Sequence, residues 1–434
     1  MDVTTYFKAL VQSHESDTPW GIHSVCCTHP YVLQAAMEEA ALQGAPVLIE
    51  STANQVNQDG GYTGMTPEDF RNFVYAIADK CAFGRERILL GGDHLGPHPW
   101  RKLPAETAME KAAEMVACYV QAGFTKIHLD TSMHLGDDDH TVPLPDQVIA
   151  ERSARICRVA EDTSQGRAPL IYVVGSEVPP PGGPESAEDE IHPTSRHAFL
   201  SAYQAYQQVF TQAGLEDALS RVVGFVVQPG VEFGGDHVFD YNSEHAKDLC
   251  AARRELGRPM VFEGHSTDYQ TADALARLIQ DGVGILKVGP GLTFALREGL
   301  YALEAMEKEL VQDGQKSNFT NVLDQEMLDN DQYWRPFYRG DDHSLYLQRR
   351  YSYYDRTRYY LGQPKVVAAM ELLLQNLAKT GIPEEMLSQY LPQVYYKVRA
   401  GEIDKTPEAI LKGHVRYVLA AYQTAAKPGS FQGT

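Results

Sequence analysis

The sequence predicts an α/β fold, a (β/α)₈ TIM barrel with an appended C-terminal helical region. Short β-rich runs alternate with longer segments of helical periodicity along most of the chain. The β-rich runs are almost continuously apolar, which is typical of parallel strands covered by helices. Eight such units fit within roughly 290 residues, which favours a closed barrel over an open doubly wound sheet, the alternative fold.

Eight strands are predicted where apolar runs are enriched in β-branched residues. They cover residues 21–27, 46–52, 87–94, 126–132, 170–178, 222–230, 258–266 and 284–292. The intervening helices show recognisable ends. One helix begins after Thr66, with Pro67 and two acidic residues in its first turn, and others stop at Gly44, Gly123 and Gly282.

The barrel is predicted to span residues 1–310, and residues 311–434 to form a helical extension packed on it. A proline- and acid-rich loop, residues 178–194, follows the fifth strand. The extension is helical in pattern and rich in tyrosine, and it contains no strand-like run of its own. It is therefore interpreted as a layer on the barrel and not as a second core.

Composition excludes several classes of protein. A formal charge of −20 argues against a nucleic-acid partner, because such binding depends on cationic contacts to phosphate. The six cysteines show no CxxC spacing, as expected for reduced core residues of an intracellular protein. The N-terminus lacks the pattern of a signal peptide, and no apolar run is long enough to span a membrane. These features predict a cytoplasmic protein without membrane contact.

Polar residues follow nearly every predicted strand. Active sites of (β/α)₈ barrels lie at the C-terminal ends of the strands. At those positions the sequence has Glu50, Ser51, Thr52, Asp93, His94, His128, Asp130, Ser132, His134, Ser176, Glu177, Gln228, Glu232, Asp236, His237, Glu263, His265, Ser266, Lys287, Gly289 and Gly291. Seven groups of such residues on one face predict a polar active-site mouth.

Each of these residues also has a structural interpretation. His94 could hydrogen-bond a neighbouring loop, and Asp93 and His94 would point to opposite faces unless a bulge re-aimed one of them. His128 lies mid-strand, where a satisfied core histidine is the commoner case. His98 fits a surface loop, and the acidic segment 136–140 fits a solvated loop better than a cation site.

Metal and phosphate binding are the two chemistries that these residue types favour. Glu263 and His265 flank a glycine in an extended run, so both can project to one side. Carboxylates and imidazoles together suit Zn²⁺, Mn²⁺ or a similar divalent ion. Gly289 and Gly291, before a predicted helix, fit either a phosphate-binding loop or a tight turn. No GxxxxGK[ST] or GxGxxG motif supports nucleotide binding.

Five long strings carry a resemblance to a known family. They are IESTANQVNQDGGYTGM (49–65), ILLGGDHLGPHPW (88–100), KIHLDTSMHLGDD (126–138), VFEGHSTDYQT (261–271) and RRYSYYDRTRYYL (349–361). They closely resemble the GatZ/KbaZ family, the Z subunit of D-tagatose-1,6-bisphosphate aldolase, over essentially the whole chain. The resemblance implies a barrel similar to the class II, metal-dependent ketose-bisphosphate aldolases.

The resemblance also implies roles for single residues. Asp93 matches the proton shuttle of the class II aldolases and His94 matches a metal ligand, while Glu177 begins a stretch similar to their Glu-x-Gly-x-x-Gly-Gly string. The other two metal histidines are not kept, because the corresponding stretches read Gln-Pro-Gly (228–230) and Phe-Glu-Gly (262–264). This departure argues against ordinary zinc aldolase activity, yet Glu263 could replace a ligand.

Three functions have been described for this family, and the sequence favours one of them. The favoured function is a metal-dependent 4-epimerase that interconverts D-tagatose 6-phosphate and D-fructose 6-phosphate by retro-aldol and aldol steps. The alternatives are a non-catalytic subunit that stabilises a Y-type aldolase partner and, with less support, a tagatose-6-phosphate kinase. The expected substrate is a ketohexose phosphate. If the chain is an accessory subunit, a Y-type aldolase subunit is its expected partner. Further copies of the chain could form a homo-oligomer.

The residue assignments follow from this reading. Proton transfer is assigned to Asp93 and Glu177. The remaining assignments are His94, Glu232, Glu263 and His265 for the metal, and Gly289, Gly291, Arg356 and Arg358 for phosphate. For Arg356 and Arg358 the alternative is a set of salt bridges that hold the tyrosine-rich segment to the barrel.

Overall fold

The computed structural model describes residues 3–175 and 191–428 as a closed barrel surrounded by helices. Ten strands are present: β1 (Ile22–Val25), β2 (Val47–Thr52), β3 (Ile88–Leu95), β4 (Lys126–Leu129), β5 (Ile171–Val174), β6 (Val222–Val227), β7 (Glu232–Phe233), β8 (Val238–Phe239), β9 (Val261–Gly264) and β10 (Val283–Val288). Eight of them form the barrel in the order β1-β10-β9-β6-β5-β4-β3-β2, and β7 and β8 form a separate hairpin.

The predicted (β/α)₈ fold is confirmed. All neighbouring barrel strands pair in parallel. Each predicted strand overlaps one barrel strand, although most observed strands are shorter. For example, the strand predicted over 170–178 is Ile171–Val174, and the one over 222–230 ends at Val227, just before Pro229. The hairpin of β7 and β8 was not predicted.

Sixteen helices lie within the described residues. They are α1 (Val3–Ser13), α2 (Pro30–Leu42), α3 (Pro67–Lys80), α4 (Ala105–Gln121), α5 (Asp146–Ser164), α6 (Arg196–Gln212), α7 (Glu216–Ser220), α8 (Ser243–Arg254), α9 (Ala272–Gln280), α10 (Pro290–Leu310), α11 (Phe319–Asp329), α12 (Asp342–Tyr351), α13 (Pro364–Thr380), α14 (Glu384–Tyr390), α15 (Pro392–Arg399) and α16 (Pro407–Ala425). None of these helices combines the length and apolar character needed to cross a membrane.

The lower half of the barrel interior is apolar and is closed by the N-terminal helix. Side chains from seven barrel strands form a buried cluster with four residues of α1. The barrel members are Ile22, Leu48, Leu89, Ile171, Val173, Val223, Val226, Val261 and Ile285, and the helix contributes Val3, Phe7, Leu10 and Val11. Because this end is filled, the open end is the one at which the strands terminate.

The C-terminal helices pack on the barrel, and one of them enters its helical ring. Helix α16 packs against α2, α9 and α10 and reaches β1. The hydroxyl of Tyr422 in α16 donates a 2.7 Å hydrogen bond to the carbonyl of Thr267, and Gly21 N–H donates to the carbonyl of Ala426. The division of the chain at residue 310 stays a prediction.

The tyrosine-rich segment 349–361 lies against the open end of the barrel. Its Tyr353 N–H donates to the carbonyl of Gly235 in the β7–β8 hairpin, and the hydroxyl of Tyr269 donates to the Tyr353 carbonyl. Buried Asp355 accepts hydrogen bonds from Arg297 and Thr293 of α10. The segment is thereby fixed to two elements that surround the mouth.

Candidate active site at the open end of the barrel

The end of β3 presents Asp93 and His94 to the same side of the barrel. The pairing with β4 is interrupted between Gly92 and Leu95, and His94 has a φ of 48°. Such a bulge re-aims one of two adjacent side chains that an extended strand would send to opposite faces. Asp93 Oδ1 then lies 2.9 Å from His128 Nδ1, and His94 Nδ1 lies 2.7 Å from Asp130 Oδ2.

Below this pair, a layer of charged side chains fills the upper barrel interior. Nζ of Lys126 lies 2.6 Å from Glu50 Oε1 and 2.7 Å from Glu263 Oε2, and all three side chains are fully buried. Nζ of Lys287 contacts the other oxygen of Glu50 and lies 3.0 Å from Asp93 Oδ1. Gly91 is required here, because a Cβ at that position would collide with the Glu50 carboxylate.

Three imidazoles meet above the charged layer. The ring centroids of His94, His128 and His265 are separated by 4.8 to 5.4 Å. His265 Nε2 lies 3.0 Å from Glu263 Oε1. His128 Nε2 is buried, and no hydrogen-bond partner for it is found among the described residues. An imidazole whose Nδ1 is held by a carboxylate can offer the Nε2 lone pair to a metal.

Electrostatics keep the carboxylates of this site ionised. Burial opposes ionisation of Asp93, but the Lys287 ammonium and the nearby imidazoles hold its pKa well below the usual range. Glu263 behaves in the same way, with Lys126 as the strongest opposing charge. Burial lowers the pKa of His265 to about 4, so this imidazole is neutral at pH 7 and able to ligate a metal.

Four of these groups fit a divalent metal ion. One donor atom from each of Asp93, His128, Glu263 and His265 lies within 4.8 Å of the others, and all four residues are buried. Two carboxylates and two imidazoles match the preferences of Zn²⁺ and Mn²⁺. The buried Nε2 of His128, which lacks a partner in the described structure, is the observation that most favours a metal here.

A cavity of about 900 Å³ reaches two of the four groups, Asp93 and His265. Asp93, His94, His265 and Lys287 line its inner end. Its wall includes Tyr62, Thr293, Tyr354, Arg358 and Tyr359, so the segment 349–361 contributes directly to it. The cavity is large enough for a small phosphorylated sugar.

The two predicted phosphate-binding arginines have different environments. Arg358 lines the cavity, and its Nη2 lies 3.2 Å from the Tyr359 hydroxyl. Arg356 is buried outside the cavity lining, with its guanidinium 3.2 Å from the centroid of the Phe337 ring. The structure thus favours Arg358 as the residue able to reach a ligand.

The glycines predicted to bind phosphate already donate to a carboxylate. The N–H groups of Gly289 and Gly291 donate to Asp268 Oδ1 at 2.9 and 2.7 Å, at the start of α10. Burial raises the pKa of Asp268 to about 6. A phosphate could therefore use these N–H groups only in place of the Asp268 carboxylate.

The remaining predicted site residues are separated from the four-group set or cannot be described. Glu232 is buried in β7, and its Oε1 accepts the N–H of Phe233. His94 lies beside the set and is paired with Asp130. Glu177 lies outside the described residues. All these assignments remain predictions.

The sequence analysis did not assign Lys126 or His128 to the site. Both lie on β4 and alternate with the buried apolar residues Ile127 and Leu129. Strand alternation directs residues 126 and 128 to the same face, which in this barrel is the interior. A lysine at the start of a buried strand needs a buried counter-ion, and this requirement was the available clue.

Comparison with known proteins shows the family to which the chain belongs. Residues 7–427 match the family profile described as D-tagatose-1,6-bisphosphate aldolase subunit GatZ/KbaZ-like. A crystal structure described as a probable tagatose 6 phosphate kinase from Sinorhizobium meliloti 1021 is 47% identical over 93% of this chain and 100% of that chain, with a TM-score of 0.86. The fructose-bisphosphate aldolase of Campylobacter jejuni is 14% identical over 90% of this chain and 95% of that chain, with a TM-score of 0.46. The chain belongs to the GatZ/KbaZ-like family.

Proposed function

We propose that the protein is a metal-dependent 4-epimerase that interconverts D-tagatose 6-phosphate and D-fructose 6-phosphate. The observation that carries this proposal is the buried set of Asp93, His128, Glu263 and His265, of which Asp93 and His265 line the cavity. The family and a solved structure 47% identical to this chain are both described by tagatose phosphates, which supports the substrate class. A purely structural subunit would not need this concentration of buried charge.

In the proposed reaction, Asp93 accepts the proton of the hydroxyl on carbon 4. The bond between carbons 3 and 4 then breaks, its electron pair stays on carbon 3, and glyceraldehyde 3-phosphate is formed. After the aldehyde turns over, carbon 3 adds to its other face and the proton returns to the oxygen on carbon 4. A divalent ion held by the four-group set would polarise the ketone and offset the charge of the enediolate.

The chain's own residues support these steps. Asp93 is ionised and lies at the cavity surface, so it is in the form needed to accept a proton. Lys126 holds the carboxylates of Glu50 and Glu263 in place by direct ion pairs. Arg358 in the cavity wall would bind the 6-phosphate, since guanidinium matches phosphate geometry. The phosphate would keep the aldehyde fragment bound while it turns.

The second candidate is an accessory subunit of a Y-type aldolase, which the description of the family as an aldolase subunit favours. This role gives no use to the cavity itself. The related crystal structure is described as a probable kinase. The sequence of this chain has no phosphate-binding GxxxxGK[ST] loop, which argues against a kinase activity.

The test is proton NMR of the purified chain with D-tagatose 6-phosphate. We expect fructose 6-phosphate to appear when Zn²⁺ or Mn²⁺ is added, and its formation to stop with EDTA. The Asp93→Asn variant, which keeps the shape of the side chain but lacks the carboxylate, should fail to convert the sugar with either metal. No conversion by the wild-type chain with either metal would reject the epimerase and favour the accessory subunit. Conversion that survives EDTA would reject the metal.

A further inference from the structure

We propose that Lys287 is a built-in competitor of the divalent cation and must release carboxylate oxygens before a metal can bind. This inference rests on the proposed metal site and adds a residue that controls how that site is loaded. Nζ of Lys287 lies 3.0 Å from Asp93 Oδ1 and 3.8 Å from Glu263 Oε1, and it contacts Glu50. Asp93 and Glu263 are two of the four groups proposed to hold the metal.

The two lysines of the charged layer differ in what they can do. Lys126 is fully buried between Glu50 and Glu263 and does not line the cavity. Lys287 forms the cavity surface beside Asp93 and His265. A flexible lysine at a cavity surface can turn its ammonium toward solvent, whereas an enclosed one cannot. Lys287 is therefore the cation that can move.

Charge balance supplies the reason for the movement. Glu50, Asp93 and Glu263 provide three negative charges, and Lys126 and Lys287 provide two positive charges. A divalent ion beside the same oxygens would strongly repel the Lys287 ammonium, which lies only a few ångströms away. The repulsion is relieved when the Lys287 ammonium turns into the cavity. There it would face the oxygens of a bound sugar.

The test measures metal binding and needs no turnover. Isothermal titration of Mn²⁺ into the full chain, stripped of metal with EDTA and dialysed, would compare wild type with Lys287→Met and Lys287→Arg. We expect Lys287→Met to bind Mn²⁺ at least about tenfold more tightly, because the competing charge is removed. Lys287→Arg keeps the charge and should stay within about threefold of wild type. Lys412→Met, which removes a cavity-lining lysine paired with Glu38, is the matched control and should not change affinity.

The outcomes separate this inference from the proposed function. Tighter binding by Lys287→Met supports it even when the chain shows no epimerase activity. Equal or weaker binding by a folded Lys287→Met protein overturns it while the metal site stands. Metal binding by none of the proteins overturns both. Folding is checked by circular dichroism, and Lys287→Gln, which keeps N–H donors without charge, replaces Lys287→Met if that variant does not fold.

Discussion

Nε of Arg297 lies 2.8 Å from Oδ1 of Asp355, and both side chains are buried. Arg297 belongs to α10, which follows the last barrel strand, and Asp355 lies in the tyrosine-rich segment 349–361. The same carboxylate accepts hydrogen bonds from Thr293 and Thr357. This pair thus joins the segment that carries Arg358 to the barrel.

Replacing Asp355 with alanine should destabilise the protein by about 3–5 kcal/mol, the usual cost of leaving a buried charge without its partner. The free energy of unfolding in urea measures this. Asp79→Ala breaks the exposed pair with Arg85 and should have a much smaller effect. If the two substitutions lower the free energy of unfolding equally, the buried Arg297–Asp355 pair stabilises the protein no more than an exposed ion pair does.

Replacing His128 with alanine should weaken metal binding by more than about 100-fold, beyond the range for loss of an outer-shell partner. The reason is that His128 belongs to the four-group set and offers a buried Nε2. Metal content after dialysis and titration with Mn²⁺ measure the effect. His98→Ala, in the loop after β3, is the control and should retain full metal content. If His94→Ala loses the metal and His128→Ala keeps it, His94 is the metal ligand, as the sequence predicts, and the four-group set does not hold the metal.

Replacing Arg358 with alanine should raise KM for D-tagatose 6-phosphate about 10- to 100-fold, since charge-assisted hydrogen bonds contribute about 1.5–3 kcal/mol. Steady-state kinetics measure KM and kcat separately. The same variant tested with unphosphorylated D-tagatose is the internal control, and its KM should not change. An equal loss with both sugars would mean that Arg358 supports the segment 349–361 and does not bind phosphate.

Asp268 should make stability depend on pH between about pH 4 and 6. An unfolded aspartate has a pKa near 3.9, whereas burial raises the pKa of Asp268 to about 6 in the folded chain. Folded Asp268 thus keeps a proton that the unfolded chain has released, and its contribution to stability falls as the pH rises through this window. Asp268→Asn does not titrate and can still accept from Gly289 and Gly291.

Relative to wild type, Asp268→Asn should therefore gain up to about 3 kcal/mol between pH 4 and pH 7, at about 1.4 kcal/mol for each pKa unit. Urea unfolding at several pH values measures the difference. Other titrating groups contribute equally to both proteins and cancel. A difference that stays constant with pH would show that Asp268 has an ordinary pKa.

The fold could be predicted because its evidence is local. Each barrel strand is a short apolar run between helices with recognisable ends, such as the capping box formed by Thr66 and Asp69. The β7–β8 hairpin has strands of two residues each, too short for a periodic pattern. Its sequence therefore carries no pattern from which the hairpin could be predicted.

The candidate site could be predicted only in part, because its geometry depends on contacts between distant strands. The bulge that directs Asp93 and His94 to one side was identified as a requirement, and the structure has it. The carboxylate that accepts from Gly289 comes from Asp268, 21 residues earlier, and no sequence pattern indicates that pairing. His128 was interpreted as a core residue because the two histidines that lie beside it are distant in the sequence. They are His94 of β3 and His265, which directly follows β9.

The position of α16 in the helical ring has a consequence for synthesis of the protein. Translation at about 5–20 residues per second places roughly 6–23 s between the end of α10 and the end of α16. During that time the faces of α2, α9 and α10 that α16 covers are exposed on the nascent chain. We expect the emerging barrel to expose apolar surface until α16 has been made, and ribosome-bound chains that stop before residue 407 to bind chaperones more strongly than chains that include α16.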